Sequence, residues 1–298
     1  MKKNQFVRPL FIWLLISSFY SFAQSPATVK SIELNEISGL VVTKNNTIYV
    51  HNDSGDTTRF FAINSHGDLF GTYYFQGDPK RKLLGILDCE DIAYGPGPDN
   101  GKNYIYLGDI GDNSSLRPYI SVYRIPEPDK AGKVKVSREL VHLKYPNRPQ
   151  DAEAMMVDPI SKELIIVSKR QDTVGIYSTS LSFKDGDTVK LQKRGSLYLP
   201  VRLVPSSKYV VSGDISADGK QILLKTYQNV YYWQRQGNEP INQTLLRKPI
   251  ELPYVRERQG EAIGFTPDGK GYYCISEGLN PVIYYYPLNQ QVIEQALK

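Results

Sequence analysis

Glu153-Ala-Met-Met-Val-Asp-Pro159 and Glu261-Ala-Ile-Gly-Phe-Thr-Pro267 align without a gap, and the same frame fits Ser38-Gly-Leu-Val-Val-Thr-Lys44, Glu90-Asp-Ile-Ala-Tyr-Gly-Pro96 and Val211-Ser-Gly-Asp-Ile-Ser-Ala217. The five starts lie 52, 63, 58 and 50 residues apart. Each frame runs into a turn such as Ala217-Asp218-Gly219-Lys220, which opens a second apolar run at 47–50, 104–107, 163–167, 221–224 or 271–274. A third run follows at 59–63, 120–124, 174–177, 230–233 or 282–286, and fourth runs stand at 69–75, 139–145, 195–199 and 246–252. Four-stranded units at this period are propeller blades. The sequence therefore predicts an all-β, five-bladed β-propeller. The fifth unit stops after its third strand, near Leu288. Val29-Lys-Ser-Ile-Glu-Leu34 matches the fourth run Arg247-Lys-Pro-Ile-Glu-Leu252, so an N-terminal strand is expected to complete the last blade and close the ring. Closure removes free sheet edges. A sandwich of open sheets would not explain one motif opening every unit. Residues 290–297 are expected to form a short terminal helix.

The N-terminus reads as an export signal. Lys2, Lys3 and Arg8 precede the short apolar stretch 10–16, and Ser21-Phe22-Ala23 stands before Gln24. That is the layout of a cleaved secretory signal, and the apolar stretch is too short to span a bilayer. The expected organisation is a signal over 1–23 and one propeller domain over 24–298, exported to the periplasm or beyond, without membrane insertion and monomeric. Loss of the signal lowers the net charge from +5 to +2. No Lys/Arg stripe stands out, which argues against a nucleic-acid partner. The two cysteines, Cys89 and Cys274, fall in blades that are not neighbours in a ring of five, so no disulfide is expected.

In a propeller the first strand of each blade lines the axis, so Ser38, Glu90, Glu153, Val211 and Glu261 converge. Three facing carboxylates cannot all stay ionised without compensation. A hard cation with oxygen ligands supplies it, and Ca²⁺ accepts such a set in flexible geometry. Raised pKa values, water, or glutamates capping backbone N–H groups are the alternatives. Zinc is disfavoured by three histidines and no Cys/His cluster.

The motifs Glu36-Ile37-Ser38-Gly39-Leu40, Cys89-Glu90-Asp91 and Gly260-Glu261-Ala262-Ile263 resemble those of the calcium-activated nucleotidases, apyrases of blood-feeding insects and vertebrates. The resemblance covers the blade starts and the blade count. It implies a channel Ca²⁺ held by Ser and Glu side chains and hydrolysis of nucleoside di- and triphosphates. On it, Ser38, Glu90, Glu153 and Glu261 match ligand positions. The fourth blade departs, with Val211 in the frame, so Ser212 or a backbone carbonyl would have to serve. The chain is also similar to uncharacterised secreted bacterial propellers carrying His-Asn-Asp-Ser-Gly and Gly-Asp-Ile-Gly-Asp-Asn segments, and more distantly to phytase-like propellers.

Those segments here are His51-Asn52-Asp53-Ser54-Gly55 and Gly108-Asp109-Ile110-Gly111-Asp112-Asn113, each after a second strand. Lys169-Arg170, Lys225-Thr226-Tyr227 and Ser276-Glu277 hold the corresponding places, and all should rim the mouth above the glutamates. Rigidly held loops are where binding groups concentrate. Arg170 suits a phosphate or carboxylate, Lys169 and Lys225 add point charge, and Glu277 joins the substrate contacts. Asp53 or Asp109 is placed as general base and His51 as acid or base. Each also has a plain structural reading, since Asn-Asp and Asp-Gly clusters form ordinary turns. The expected classes are a Ca²⁺-dependent hydrolase of an anionic small molecule, or a secreted propeller binding a glycan or protein with a structural ion. Furanosidase-type chemistry is a third.

Overall fold

A computed structural model describes residues 24–81, 85–170, 173–199 and 205–296; the signal read over 1–23 lies outside them. Among these residues five sheets form a ring. The innermost strands are Ile37–Val42, Cys89–Pro96, Ala152–Asp158, Val210–Ile215 and Gly260–Phe265. Each pairs antiparallel with the strand after its turn: Ile48–Asn52, Asn103–Asp109, Glu163–Ser168, Gln221–Thr226 and Gly271–Ser276. Both faces of every blade are covered, and five apolar clusters fill the five junctions between neighbours. Met155, for example, faces blade two while Ala154 and Met156 face blade four. This is why the inner strands read as continuous apolar runs instead of alternating ones.

All five innermost strands carry a register shift at the same point, and the residue left out of the pairing is Ser38, Glu90, Glu153, Val211 or Glu261. The repeated motif is thus a repeated β-bulge, which kinks the strand and re-aims one side chain. The next position holds Gly39, Asp91, Ala154, Ser212 and Ala262. Four are small and the fifth ties the ring together. The buried Asp91 carboxyl accepts from Met155 N at 2.8 Å, Ser212 Oγ at 3.0 Å and, more weakly, Gly213 N at 3.4 Å, joining blade two to blades three and four. Asp214 repeats the device between blades four and five, accepting from Phe265 N at 2.7 Å.

The ring closes through an N-terminal strand, but Gln24–Thr28 makes the closure, antiparallel to Val282–Pro287, and the expected segment 29–34 does not. That segment turns inward: Leu34 N donates to Ser31 O, and Val29 and Leu34 are buried between blades five and one. The likeness to 247–252 was one of composition, and burying Val29 and Leu34 together requires a turn. The fourth strand of blade four is also shorter than expected, Ile250–Leu252, preceded by the helix Ile241–Leu245. Two strands had no sequence signal. Gly132–Lys135 and Thr188–Lys190 leave blades two and three and add in parallel to the outer strand of the preceding blade, covering its edge. The terminal helix runs Gln290–Ala296. Cys89 and Cys274 are buried in different junctions. No helix among the described residues is long and apolar enough to cross a membrane.

Replacing Asp91 by Ala leaves the amides of Met155 and Gly213 and the Ser212 hydroxyl buried and unsatisfied. The expected loss is about 3 kcal/mol, a fall in thermal midpoint of roughly 5–10 °C. A midpoint within 1–2 °C of wild type would remove Asp91 from this role.

Candidate functional site

The chain position that follows the second strand of each blade decides what faces the bulged residues. Asp53 N, Gly111 N, Lys169 N and Glu277 N each donate to the carbonyl two residues before the bulge (Glu36, Asp88, Asp151 and Gln259). Tyr227 holds this place in blade four, directly after Gln221–Thr226. A second ring, Asp53, Gly111, Lys169, Tyr227 and Glu277, therefore sits against the first. Two of these side chains meet the first ring in full view. Lys169 Nζ forms an ion pair with Glu153 Oε1 and lies 3.4 Å from Tyr227 OH, and Tyr227 OH donates to Glu261 Oε1 at 2.6 Å.

Blade two departs in a useful way. Its member of the second ring is Gly111, and a β-carbon there would come within 2.3 Å of Glu90 Oε1 and 2.4 Å of Asp88 Oδ2. The missing side chain makes room for two carboxylates. With Asp53 they form a group whose ligand oxygens all lie within 4.8 Å of one another. Oxygens on one Ca²⁺, each about 2.4 Å from the ion, can be no farther apart than that. Glu90 is 4% exposed, and Asp53 Oδ1 is buried without a partner among the described residues.

Crowding of carboxylates shows in their acidities. Burial, then the charges of Asp53 and Asp88, hold the Glu90 carboxyl well above its usual range. Burial, with Asp88 and Glu261 nearby, pushes Asp53 up to about 6. Burial also raises Asp88. Glu277 rises to about 8 because it is partly buried and shares a hydrogen bond with the Glu261 carboxyl. Lys169 moves the opposite way, lowered by burial while Glu90 and Glu261 oppose the shift.

The structure thus brings Glu90, Glu153, Glu261, Asp53, Lys169 and Glu277 together and separates the other expected residues from them. Ser38 Oγ donates to Glu90 O at 2.9 Å, bracing blade two's bulge from blade one. Ser212 is committed to Asp91 and does not join the glutamates. Asp109, expected as a general base, has both oxygens filled by Arg81, Arg117 and the amides of Leu87 and Asp88, so it anchors the connector that carries Asp88. His51 is buried, its Nδ1 against Asn52 O, and burial lowers its pKa to about 4, leaving a neutral ring without an acid proton to spare near neutrality. Lys225, expected on the rim, is fully buried and binds Gly260 O and Tyr254 OH. His51 and Lys225 both stand inside their strands, Ile48–Asn52 and Gln221–Thr226, enclosed by the blades, whereas Asp53 and Tyr227 lie just past the strand ends at the mouth. Arg170 does reach the rim. It pairs with Asp151, contacts Asn113 Oδ1 and lies 5.4 Å over the Tyr209 ring. Asp56 pairs with Arg59, and Asp112 accepts from the amides of Leu116 and Arg117.

Sequence reasoning missed Asp88 and, within the rim segment 225–227, gave the role to Lys225 instead of Tyr227. Asp88-Cys89-Glu90 held a readable signal, since carboxylates two apart on an extended chain share a face. Cavities of about 440 and 590 Å³ open at the outer junctions of blade three, away from the axis.

Glu277 takes up a proton on folding because its folded pKa is raised. Its contribution to stability is therefore full below about pH 4.5, falls as pH rises, and is gone above about pH 8. Glu277→Gln should flatten that part of the decline in thermal midpoint, measured in chelator from pH 4.5 to 8.5. Parallel profiles for variant and wild type would contradict the raised pKa of Glu277.

No protein-family model matches the chain, and no curated protein matches it. Among solved structures it is similar to a candidate 6-phosphogluconolactonase from Bacteroides uniformis, at 15% identity and a TM-score of 0.42, over 85% of this chain and 68% of that one.

Proposed function

We propose that the chain is an exported, calcium-dependent hydrolase of a phosphorylated or otherwise anionic small molecule. One observation supports this above the rest: the three-carboxylate group of Asp53, Asp88 and Glu90 stands near Glu277, an acid that burial and its hydrogen bond to Glu261 raise to about 8. A cation seat and a neighbouring acid that carries a proton near neutrality are the parts that metal-assisted hydrolysis needs.

The residues fit a hard cation. Their donors are all carboxylate oxygens, Asp53 Oδ1 is buried without a partner among the described residues, and glycine at 111 leaves the space open. Bound there, Ca²⁺ would polarise a substrate oxygen and acidify a water. Glu277, raised to about 8, carries a proton near neutrality that it can return to a leaving group. Arg170, held by Asp151 and stacked on Tyr209, presents a guanidinium to a distal phosphate or carboxylate. Lys169 moderates the negative charge that an anionic substrate meets.

A second reading, an ion-stabilised module binding a glycan or protein, is favoured by the rim: Asp56, Asp109, Asp112 and Asp151 are all occupied in internal contacts. The deciding measurement is product release from nucleotides, phytate and sugar phosphates with Ca²⁺ and with chelator. Turnover should need Ca²⁺, Asp88→Asn should weaken Ca²⁺ binding by at least about tenfold, and Glu277→Gln should lower kcat on the order of 100-fold. Tight Ca²⁺ binding without turnover of any phosphoester would discard the hydrolase and leave the binding module.

A further inference from the structure

We infer that Lys169 is a tethered counter-ion that takes the inner cation seat of the channel, so that the protein holds a single divalent ion, at Asp53, Asp88 and Glu90. The inference rests on the calcium reading and adds to it a reason for the stoichiometry.

Ring closure forces the blade-start glutamates of blades two, three and five onto one axis, where Glu90, Glu153 and Glu261 are 4, 4 and 5% exposed. Lys169 enters this group from the second ring, itself 5% exposed. It is paired with Glu153 and linked through Tyr227 OH to Glu261. The Tyr227 ring lies 5.5 Å from the ammonium and adds a cation–π contact. One ammonium therefore touches or is relayed to Glu153 and Glu261, and its charge also reaches Glu90, which faces Asp53 and Asp88. The glutamates remain underprovided, since Glu153 Oε2 is buried with no partner among the described residues. Lysine suits this place because its charge is a compact point on a long stem. It can sit among converging oxygens as a metal would, but it cannot leave.

Charge at short range then sets the count. A second divalent ion beside Lys169 would meet a fixed positive charge within a few ångströms, in a site where such repulsion is weakly screened. Neutralising the lysine removes that obstacle and leaves three buried carboxylates to be compensated.

Calcium titration by calorimetry, with terbium luminescence as a second count, tests this on the full mature chain. Wild type should bind one ion. Lys169→Gln should bind two, or bind the first at least about tenfold more tightly, and Lys169→Arg should keep one. A Lys169→Gln chain that folds in calcium but not in chelator supports the same conclusion. Lys169→Gln binding one ion with unchanged affinity, or wild type binding two, overturns it. Should Lys169→Gln fold in neither buffer, Glu153→Gln decides: with Lys169 no longer balanced, calcium binding should weaken about tenfold, and unchanged affinity overturns the inference. No ion on wild type but one on Lys169→Gln would remove the outer site alone, and none on either chain would remove both readings.

Discussion

Three hydrogen bonds from two other blades end on the Asp91 carboxyl, and that is possible only because five strands converge on one narrow axis. At this level the ring has room for one functional side chain. The four equivalent positions are Gly39, Ala154, Ser212 and Ala262. Even Gly39 is crowded, since a β-carbon there would meet His51 Nε2 at 2.7 Å and Asp91 Oδ1 at 2.9 Å. The acid that fills the axis thus dictates small neighbours, and it is why the fourth blade's serine is a hydrogen-bond donor to a carboxyl.

One residue earlier the same convergence produces the opposite problem. The bulge turns each side chain toward the axis, where three of five are glutamates, and the second ring adds Asp53 and Glu277. Burial alone would favour protonating these acids. Lys169 pairs with Glu153 and its charge also reaches Glu90, Asp53 and Asp88, while burial and the hydrogen bond to Glu261 raise Glu277 to about 8. The Asp53, Asp88 and Glu90 carboxyls stay raised all the same. An external cation is the natural complement of that last group, which is where the functional reading begins.

Blade number, blade starts and inner strands were legible because the bulge is a local backbone event with a fixed position in each repeat, so it leaves a gap-free frame. The closing strand was misplaced, at 29–34 instead of Gln24–Thr28, because a short outer strand has almost no sequence signature beyond composition. The straps Gly132–Lys135 and Thr188–Lys190 were invisible for a related reason: exposed, lysine-rich and parallel, they are defined by the edge they cover. In the site, the rim segments were read as a group without their register. A slip of one or two residues in a strand moves a side chain between the mouth and the blade junction. That slip separates Tyr227, which reaches Glu261, from Lys225, which is sealed behind Gly260.

The register argument also explains why so many charged residues near the mouth are structural. Asp109, the last residue of its strand, stands two places before Gly111 and is buried, so its charge must be satisfied locally. It gathers two arginines and two amides around it, and in doing so it fixes the connector 85–88. The carboxylate of Asp88 is delivered to Gly111 by that anchored connector. Asp109 therefore acts on the proposed cation seat through the position of Asp88. On that reading, removing its charge would loosen the seat without removing a ligand, whereas removing Asp88 would take a ligand and leave the connector in place. A site built in this way has its chemistry in the residues that face the axis and its precision in the buried ion pairs one step behind them.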